Sequence, residues 1–284
     1  MLMPFFERDW SGTTDIATTI GLSGASISPS STAPLSLWRE YAAAQGWVAG
    51  YIRLAPWVEF DERAPELGPV PNQTVFVLDL AAHDVLKSAS EIVRRKVRRA
   101  SKLGAVLVDD RALLAERLKR LYPATLRRVG AGAQYQFPAE TLAQWAHDPS
   151  SIVLGGRFAD SIEAISVFCV AGRFAEYHVN ASTSRGRELT AWLIWNAAHR
   201  LRDAGVELLN LGGAAERRGD GLYQFKERFN GTAKAIDAVR QIYDHRTYVE
   251  LCRSAGVSSS ATWFPAYRLA RSQQAASRAM SDDR

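Results

Sequence analysis

Helical and extended patterns of hydrophobic positions alternate along this chain. Trp47 to Leu54 and Thr74 to Leu80 are rich in β-branched and aromatic residues and predict strands. Over Ser88 to Leu103, Val93, Val97 and Ala100 sit at helical spacing. Ser88 and Glu91 form a capping-box pair there, and Gly104 can close the helix. Ala105 to Val108 reads as another strand, and Ala112 to Arg128 as a helix interrupted at Pro123. Ser151 to Phe158, Ile162 to Val170 and Arg173 to Ser182 are extended, with turns so short that they predict an antiparallel meander. A helix follows from about Glu188 to Asp203, with Gly205 just past its end. Leu208 to Leu211 is a short strand running into Gly212-Gly213. A short helix over Gly221 to Phe229 and a strand over Lys234 to Tyr243 complete the series.

Ser, Gly and Thr crowd residues 21–34, three prolines fall within 61–73, and residues 272–284 are small and polar. We read these as two loops and a frayed tail. The order strand, helices, three antiparallel strands, helix, strand, helix, strand over 104–243 predicts a complete acetyltransferase-like (GNAT) unit. A helix near Leu35 to Ala44, the two strands after it and the helix at Ser88 repeat part of that order. The expected fold class is therefore α/β with mixed sheet, in tandem GNAT-like units. The first, at 1–103, is incomplete, because Pro4 to Arg8 already reads as a mid-domain strand. A C-terminal helix and tail occupy 244–284.

Composition narrows the classes. The 284 residues are 47% hydrophobic and 23% charged, enough apolar material for a sizeable core. No run approaches the roughly 20 apolar residues of a membrane span, and the N-terminus has no secretory pattern. Cys169 and Cys252 are far apart and read as reduced thiols, so a cytoplasmic location is expected. The net charge of +5 allows an acidic partner without requiring one. No Walker loop, dinucleotide fingerprint, nucleophile elbow or metal-ligand spacing is present, so no metal and no resident cofactor are expected.

Several motifs follow in order along the chain: Gly50-Tyr51-Ile52-Arg53-Leu54, the Arg94 to Lys102 segment ahead of Gly104, Leu121-Tyr122 with Thr125, and Tyr135-Gln136-Phe137. Tyr177 to Ser182 continues the set, and Leu209-Asn210-Leu211-Gly212-Gly213 and Gly221 to Phe229 close it. Together they resemble the Fem aminoacyltransferases and their GNAT relatives, most sharply over the last two. The resemblance implies transfer of an aminoacyl group from aminoacyl-tRNA to an amine, with a cell-wall, natural-product or other small amine as acceptor. It also implies a catalytic lysine at Lys226. Two features depart from the pattern: the glycine-rich acceptor loop is reduced to Gly21-Leu22-Ser23-Gly24, and the coiled-coil arm of some members is absent.

Chemistry read from the residues agrees. Aminolysis of an ester passes through a tetrahedral oxyanion, which a fixed cation or N–H donor stabilises. Lys226, flanked by Phe225 and Phe229, is the candidate for that role, against the plainer reading of a solvated lysine on an amphipathic helix. With period two, Phe174, Glu176, His178 and Asn180 share one strand face. Glu176 or His178 is then the candidate proton acceptor, unless that face is simply solvated. The candidate substrate-binding residues are Tyr135, Asn180, Gly212, Gly213, Tyr223 and Phe225, with Arg185 in the loop 183–188. That loop stands where CoA-dependent relatives hold pyrophosphate. Gly186 fits, but Arg187-Glu188 sets a carboxylate against a diphosphate. Arg94, Arg98 and Lys102 form a stripe at i, i+4, i+8 and are the candidate tRNA phosphate contacts, against an ordinary solvated face. The alternatives are an acyl-CoA-dependent N-acyltransferase acting on an amino sugar or small metabolite, and a non-catalytic GNAT-fold protein that binds RNA or another anion.

Overall fold

The computed structural model describes residues 2–19, 24–26, 34–55, 70–82, 84–132, 135–214 and 221–269. The loops expected at 21–34 and 61–73 fall largely outside these residues, and the tail at 272–284 wholly so. The chain forms two compact units, one of 1–73 with 235–284 and the other of 74–234.

In the first unit, β1 (Phe5–Trp10) and β2 (Thr13–Thr18) form a hairpin. Ser11 and Gly12 both have positive φ, 53° and 78°, the geometry that a two-residue turn between right-twisted strands requires. β2 pairs parallel with β3 (Ala49–Arg53), and β3 pairs antiparallel with β10 (Thr232–Ile242). Helix α1 (Pro34–Ala44) places Leu35, Ala42 and Trp38 against Ile16, Ile52 and Val239, the expected helix on the expected strand. Helix α8 (His245–Ser254) packs Tyr248 and Cys252 against Val48 and Ala49.

The second unit holds the meander. β5 (Val106–Val108), β6 (Ser151–Phe158), β7 (Ser161–Ala171) and β8 (Phe174–Ser182) pair antiparallel in sequence order. β8 pairs parallel with β9 (Leu208–Ala214), which pairs antiparallel with β4 (Val70–Asp79). On one face lie α3 (Glu91–Lys102) and α6 (Thr190–Asp203). Val93, Val97 and Ala100 of α3 and Trp192 to Leu201 of α6 cover Phe76, Leu154 and Phe168. On the other face lie α4 (Arg111–Val129) and α5 (Ala139–His147), over Val153, Ile165, Val167 and Val179.

The mixed α/β class matches expectation, and the two compact units divide the chain at other places than 103/104 and 243/244. β4 belongs beside β9 and α3 packs on α6, so 74–103 lies in the second unit, while β10 pairs with β3 in the first. Two local readings also change. The helix expected from Ser88 begins at Glu91, with Ser90 at its N-cap and no side-chain cap bond. Ser88 instead ends the short helix α2 (Val85–Ser88), which Asp84 caps through Leu86 N and Lys87 N. Glu91 accepts from Arg94 and Arg98 rather than closing a capping box. Helix α4 runs through Pro123 without a break. Burial of Leu118, Leu121, Tyr122 and Thr125 outweighs the single N–H that proline forfeits.

Candidate active site

The second unit carries every candidate residue, and the geometry of β8 and β9 arranges them. The two strands pair only from Phe174/Leu208 to Glu176/Asn210, yet β8 runs on to Ser182 and β9 to Ala214. Beyond Glu176 they diverge. Asn210 is buried, and its side-chain oxygen accepts from Gly212 N at 2.8 Å, turning the chain where Gly212 takes a φ of +75°. A Cβ on Gly212 would lie 3.2 Å from Lys226 Nζ and 3.9 Å from the Tyr177 carbonyl oxygen, so both groups approach where the strands part.

Lys226 comes from α7 (Gly221–Glu227). It is only 7% exposed, and its Nζ donates to the Gly213 carbonyl at 2.7 Å. An amino group buried to this degree is held by the fold and is no solvated surface lysine. Phe225 and Tyr223, the expected substrate contacts, also have packing partners. Phe225 packs edge-on to Phe229, 5.4 Å between centroids, with Lys96 above its ring, and Tyr223 packs edge-on to Phe76 at 5.0 Å. Both rings lie against the α3/α6 core and fix the helix that presents Lys226.

A bulge in β8 sorts the other candidates. Val167 faces Val179 and Phe168 faces Tyr177, so His178 is an extra residue on β8. Ala175 and Tyr177 lie with the α6 core, whereas Val179 and Ala181 lie with α4 and α5. The expected sharing of one face by Glu176, His178 and Asn180 therefore fails at Asn180. Its amide donates to Ile165 O at 3.2 Å and Ser166 Oγ at 3.1 Å, a structural role on the α6 side. Glu176 and His178 remain together, with Oε1 and Nδ1 3.4 Å apart. The Trp145 ring meets His178 edge-to-face at 4.3 Å, and Phe137 and Tyr122 extend the aromatic wall. Cys169 faces Glu176 across β7. Burial first, and the Glu176 carboxylate next, push its thiol up to about 12.

The remaining candidates have partners of their own. Tyr135 is half exposed, and its carbonyl accepts from Tyr122 Oη at 2.9 Å. Arg185 lies over the Phe158 ring at 4.9 Å. In the same loop Gly186 N donates to Thr183 Oγ1, and Thr183 in turn donates to Glu163. A Cβ on Gly186 would fall 1.9 Å from the Glu163 carbonyl oxygen, so this glycine is required by close backbone packing. On α3, Arg94 donates to Glu91 and to the carbonyls of Lys87 and Ala89, and Arg98 donates to Glu91. The basic stripe is thus partly neutralised, with Lys102 exposed at its end. Sequence reasoning missed Trp145 and the whole of α5. Its only local signal, Leu142 and Ala146 at i, i+4, is too short to stand out.

No protein-family model and no curated protein matches the sequence. Solved structures do resemble the fold. FemX superposes with a TM-score of 0.67 at 14% identity, covering 86% of this chain and 85% of that one. L-PGS from Bacillus licheniformis gives 0.58 at 11%, covering 85% and 81%. A C-terminal domain from Agrobacterium fabrum named for lysylphosphatidylglycerol synthetase gives 0.57 at 15%, covering 89% and 84%. Among the described residues, no helix is long and apolar enough to cross a membrane. The chain has the α/β fold of FemX, as the Fem resemblance implied.

Proposed function

We propose that the protein is an acyltransferase that moves an aminoacyl group from aminoacyl-tRNA onto an amine. The observation that carries this reading is the buried amino group of Lys226, which meets Gly212 and Gly213 where β8 and β9 diverge. In the reaction the amine nitrogen attacks the ester carbonyl carbon, a C–N bond forms, and the carbonyl oxygen becomes an oxyanion. Lys226 donates a hydrogen bond to that oxygen, and collapse breaks the C–O bond to release the tRNA hydroxyl. The attacking nitrogen must lose a proton and the departing ribose oxygen must gain one, and the groups suited to take the first and return it are the Glu176 carboxylate and the His178 imidazole.

Two observations favour tRNA over CoA as donor. The Gly186 N–H, which would face a pyrophosphate, is already bound to Thr183 Oγ1, and Glu188 adds a carboxylate to the same loop. The names of the similar structures point the same way. FemX belongs to the aminoacyltransferases that the sequence motifs resemble, and lysylphosphatidylglycerol synthetase is named for joining lysine to a lipid.

The test offers charged tRNA or acetyl-CoA with a panel of amines and follows the amide by mass. Charged tRNA yields product that RNase abolishes, and acetyl-CoA alone yields none. Lys226→Met slows turnover by about 10²–10³ while the melting temperature stays within a few degrees. An RNase-resistant, CoA-dependent product would overturn the donor assignment, and an equally active Lys226→Met would overturn the catalytic one.

A further inference from the structure

Two polar atoms on the α4/α5 face of β8 stand out by their isolation. Glu176 is 6% exposed, and its Oε2 is buried without a hydrogen-bonding partner; so is Nε2 of His178. Their other atoms, Oε1 and Nδ1, approach each other at 3.4 Å. Leaving a buried acceptor unmatched costs about 1–3 kcal/mol, and more when the group is charged. A fold that keeps two such atoms on side chains in contact holds unspent binding capacity at that point. Among the described residues none supplies a hydrogen bond to either atom, and the Cys169 thiol that faces Glu176 is a weak donor.

The chemistry of the missing partner follows from the protons. If Nδ1 of His178 donates to Glu176 Oε1, its Nε2 is an acceptor. Glu176 Oε2 is an acceptor in any case. Two buried acceptors, one of them on a carboxylate, call for a group with at least two donors and a positive charge. A hydroxyl has one donor and no charge, whereas a primary ammonium has three donors and the charge. The Trp145, Phe137 and Tyr122 rings wall the same side and keep water from competing.

We propose that Glu176 Oε2 and His178 Nε2 form a subsite for a primary ammonium group carried by a substrate. The proposal rests on the acyl-transfer reading above and specifies what that site selects. Two sources present this chemistry. An acceptor amine with a pKa near that of lysine, about 10, arrives as ammonium at neutral pH. The amino acid on the donor carries an ammonium as well.

Binding to the full chain tests the subsite without any transfer. The acceptor-like probe is n-butylammonium, with n-butanol as its neutral control. The donor-like probe is an adenosine bearing alanine through a stable 3′-amide, with its N-acetyl form as control. The readout is the ¹⁵N resonance of His178 Nε2, assigned by its loss in His178→Gln. At least one ammonium probe should shift this resonance saturably, while its neutral control binds at least tenfold more weakly. Glu176→Gln should weaken the same probe by at least tenfold, the loss of one charge-assisted hydrogen bond. A response to butylammonium alone assigns the subsite to the acceptor, and a response to the nucleoside probe alone assigns it to the donor. If neither ammonium moves the resonance, or the neutral controls bind as well, the proposal fails. Should Glu176→Gln not fold, the comparison of each probe with its neutral control on the unaltered protein still decides. Since no product is formed, this result and that of the transfer assay can fail independently.

Discussion

Gly212→Ala is the substitution that tests the divergence of β8 and β9 most directly. Gly212 has a φ of +75°, and the added Cβ would stand 3.2 Å from Lys226 Nζ. The left-handed backbone costs an L-residue about 1–2 kcal/mol. The lysine contact is tighter than ordinary van der Waals spacing, and relieving it pushes Nζ off the Gly213 carbonyl, now 2.7 Å away. The stability loss corresponds to a fall in melting temperature of roughly 2–4 °C for a protein of this size. The rate should suffer more than stability accounts for, because a displacement of about 1 Å at a catalytic group costs on the order of 10² in turnover. Melting followed by circular dichroism and transfer followed by mass spectrometry, on the same preparation, separate the two effects. If Gly212→Ala melts several degrees lower but turns over at the parental rate with folded protein, Lys226 is not held for chemistry by this turn. If it melts unchanged, the strained glycine itself is misassigned.

Three further outcomes follow from the second unit. Gly186→Ala forces a Cβ to within 1.9 Å of the Glu163 carbonyl oxygen, main chain against main chain. It should cost about 3 kcal/mol, and a melting temperature no lower than that of Gly212→Ala would refute the packing argument. With its thiol pushed up to about 12, Cys169 holds roughly one part in ten thousand as thiolate at pH 8, so iodoacetamide should label it some 10³-fold slower than free cysteine. Glu176→Gln removes one cause of that shift and should speed labelling; peptide mapping that finds Cys169 modified at the free rate would contradict this. On α3, Arg98→Gln and Lys102→Gln should each reduce the salt slope of tRNA binding by about 0.7–0.9, and unchanged slopes would remove α3 from the tRNA contacts. Arg94→Gln should instead lower stability, because Arg94 ties the carbonyls of Lys87 and Ala89 to the start of α3.

Much of the fold was legible because its signals are local. The meander at Ser151 to Ser182 follows from extended runs joined by tight turns, α3 from apolar spacing closed by Gly104, and the end of α6 from Gly205. What local patterns cannot carry is partner choice. Nothing in Thr74 to Leu80 indicates that it will lie against Leu208 to Ala214, or in Lys234 to Tyr243 that it will lie against Ala49 to Arg53. The compact units accordingly follow strand partners that no local pattern names. Local rules also lost where burial outweighed them, as at Pro123, or where a competing residue took over a role, as when Asp84 capped its own short helix ahead of Ser88.

The site was legible in its members and misread in its geometry. Strict alternation makes Glu176, His178 and Asn180 one polar stripe, and the same alternation would send Val179 and Ala181 away from α4 and α5. One extra residue at His178 inverts everything after it. Val179 and Ala181 then fill the apolar core under α4 and α5, and Asn180 turns to Ser166, where its amide has partners. Had the strand stayed regular, Asn180 would have been buried against leucines with its amide unmatched, at a cost of about 1–3 kcal/mol. The bulge removes that conflict and keeps Glu176 and His178 together on the face, with the aromatic wall beside them. A sequence shows such a conflict, because a polar residue falls where an apolar one belongs. Which position absorbs the extra residue depends on the register with β7, and no local pattern in β8 contains it.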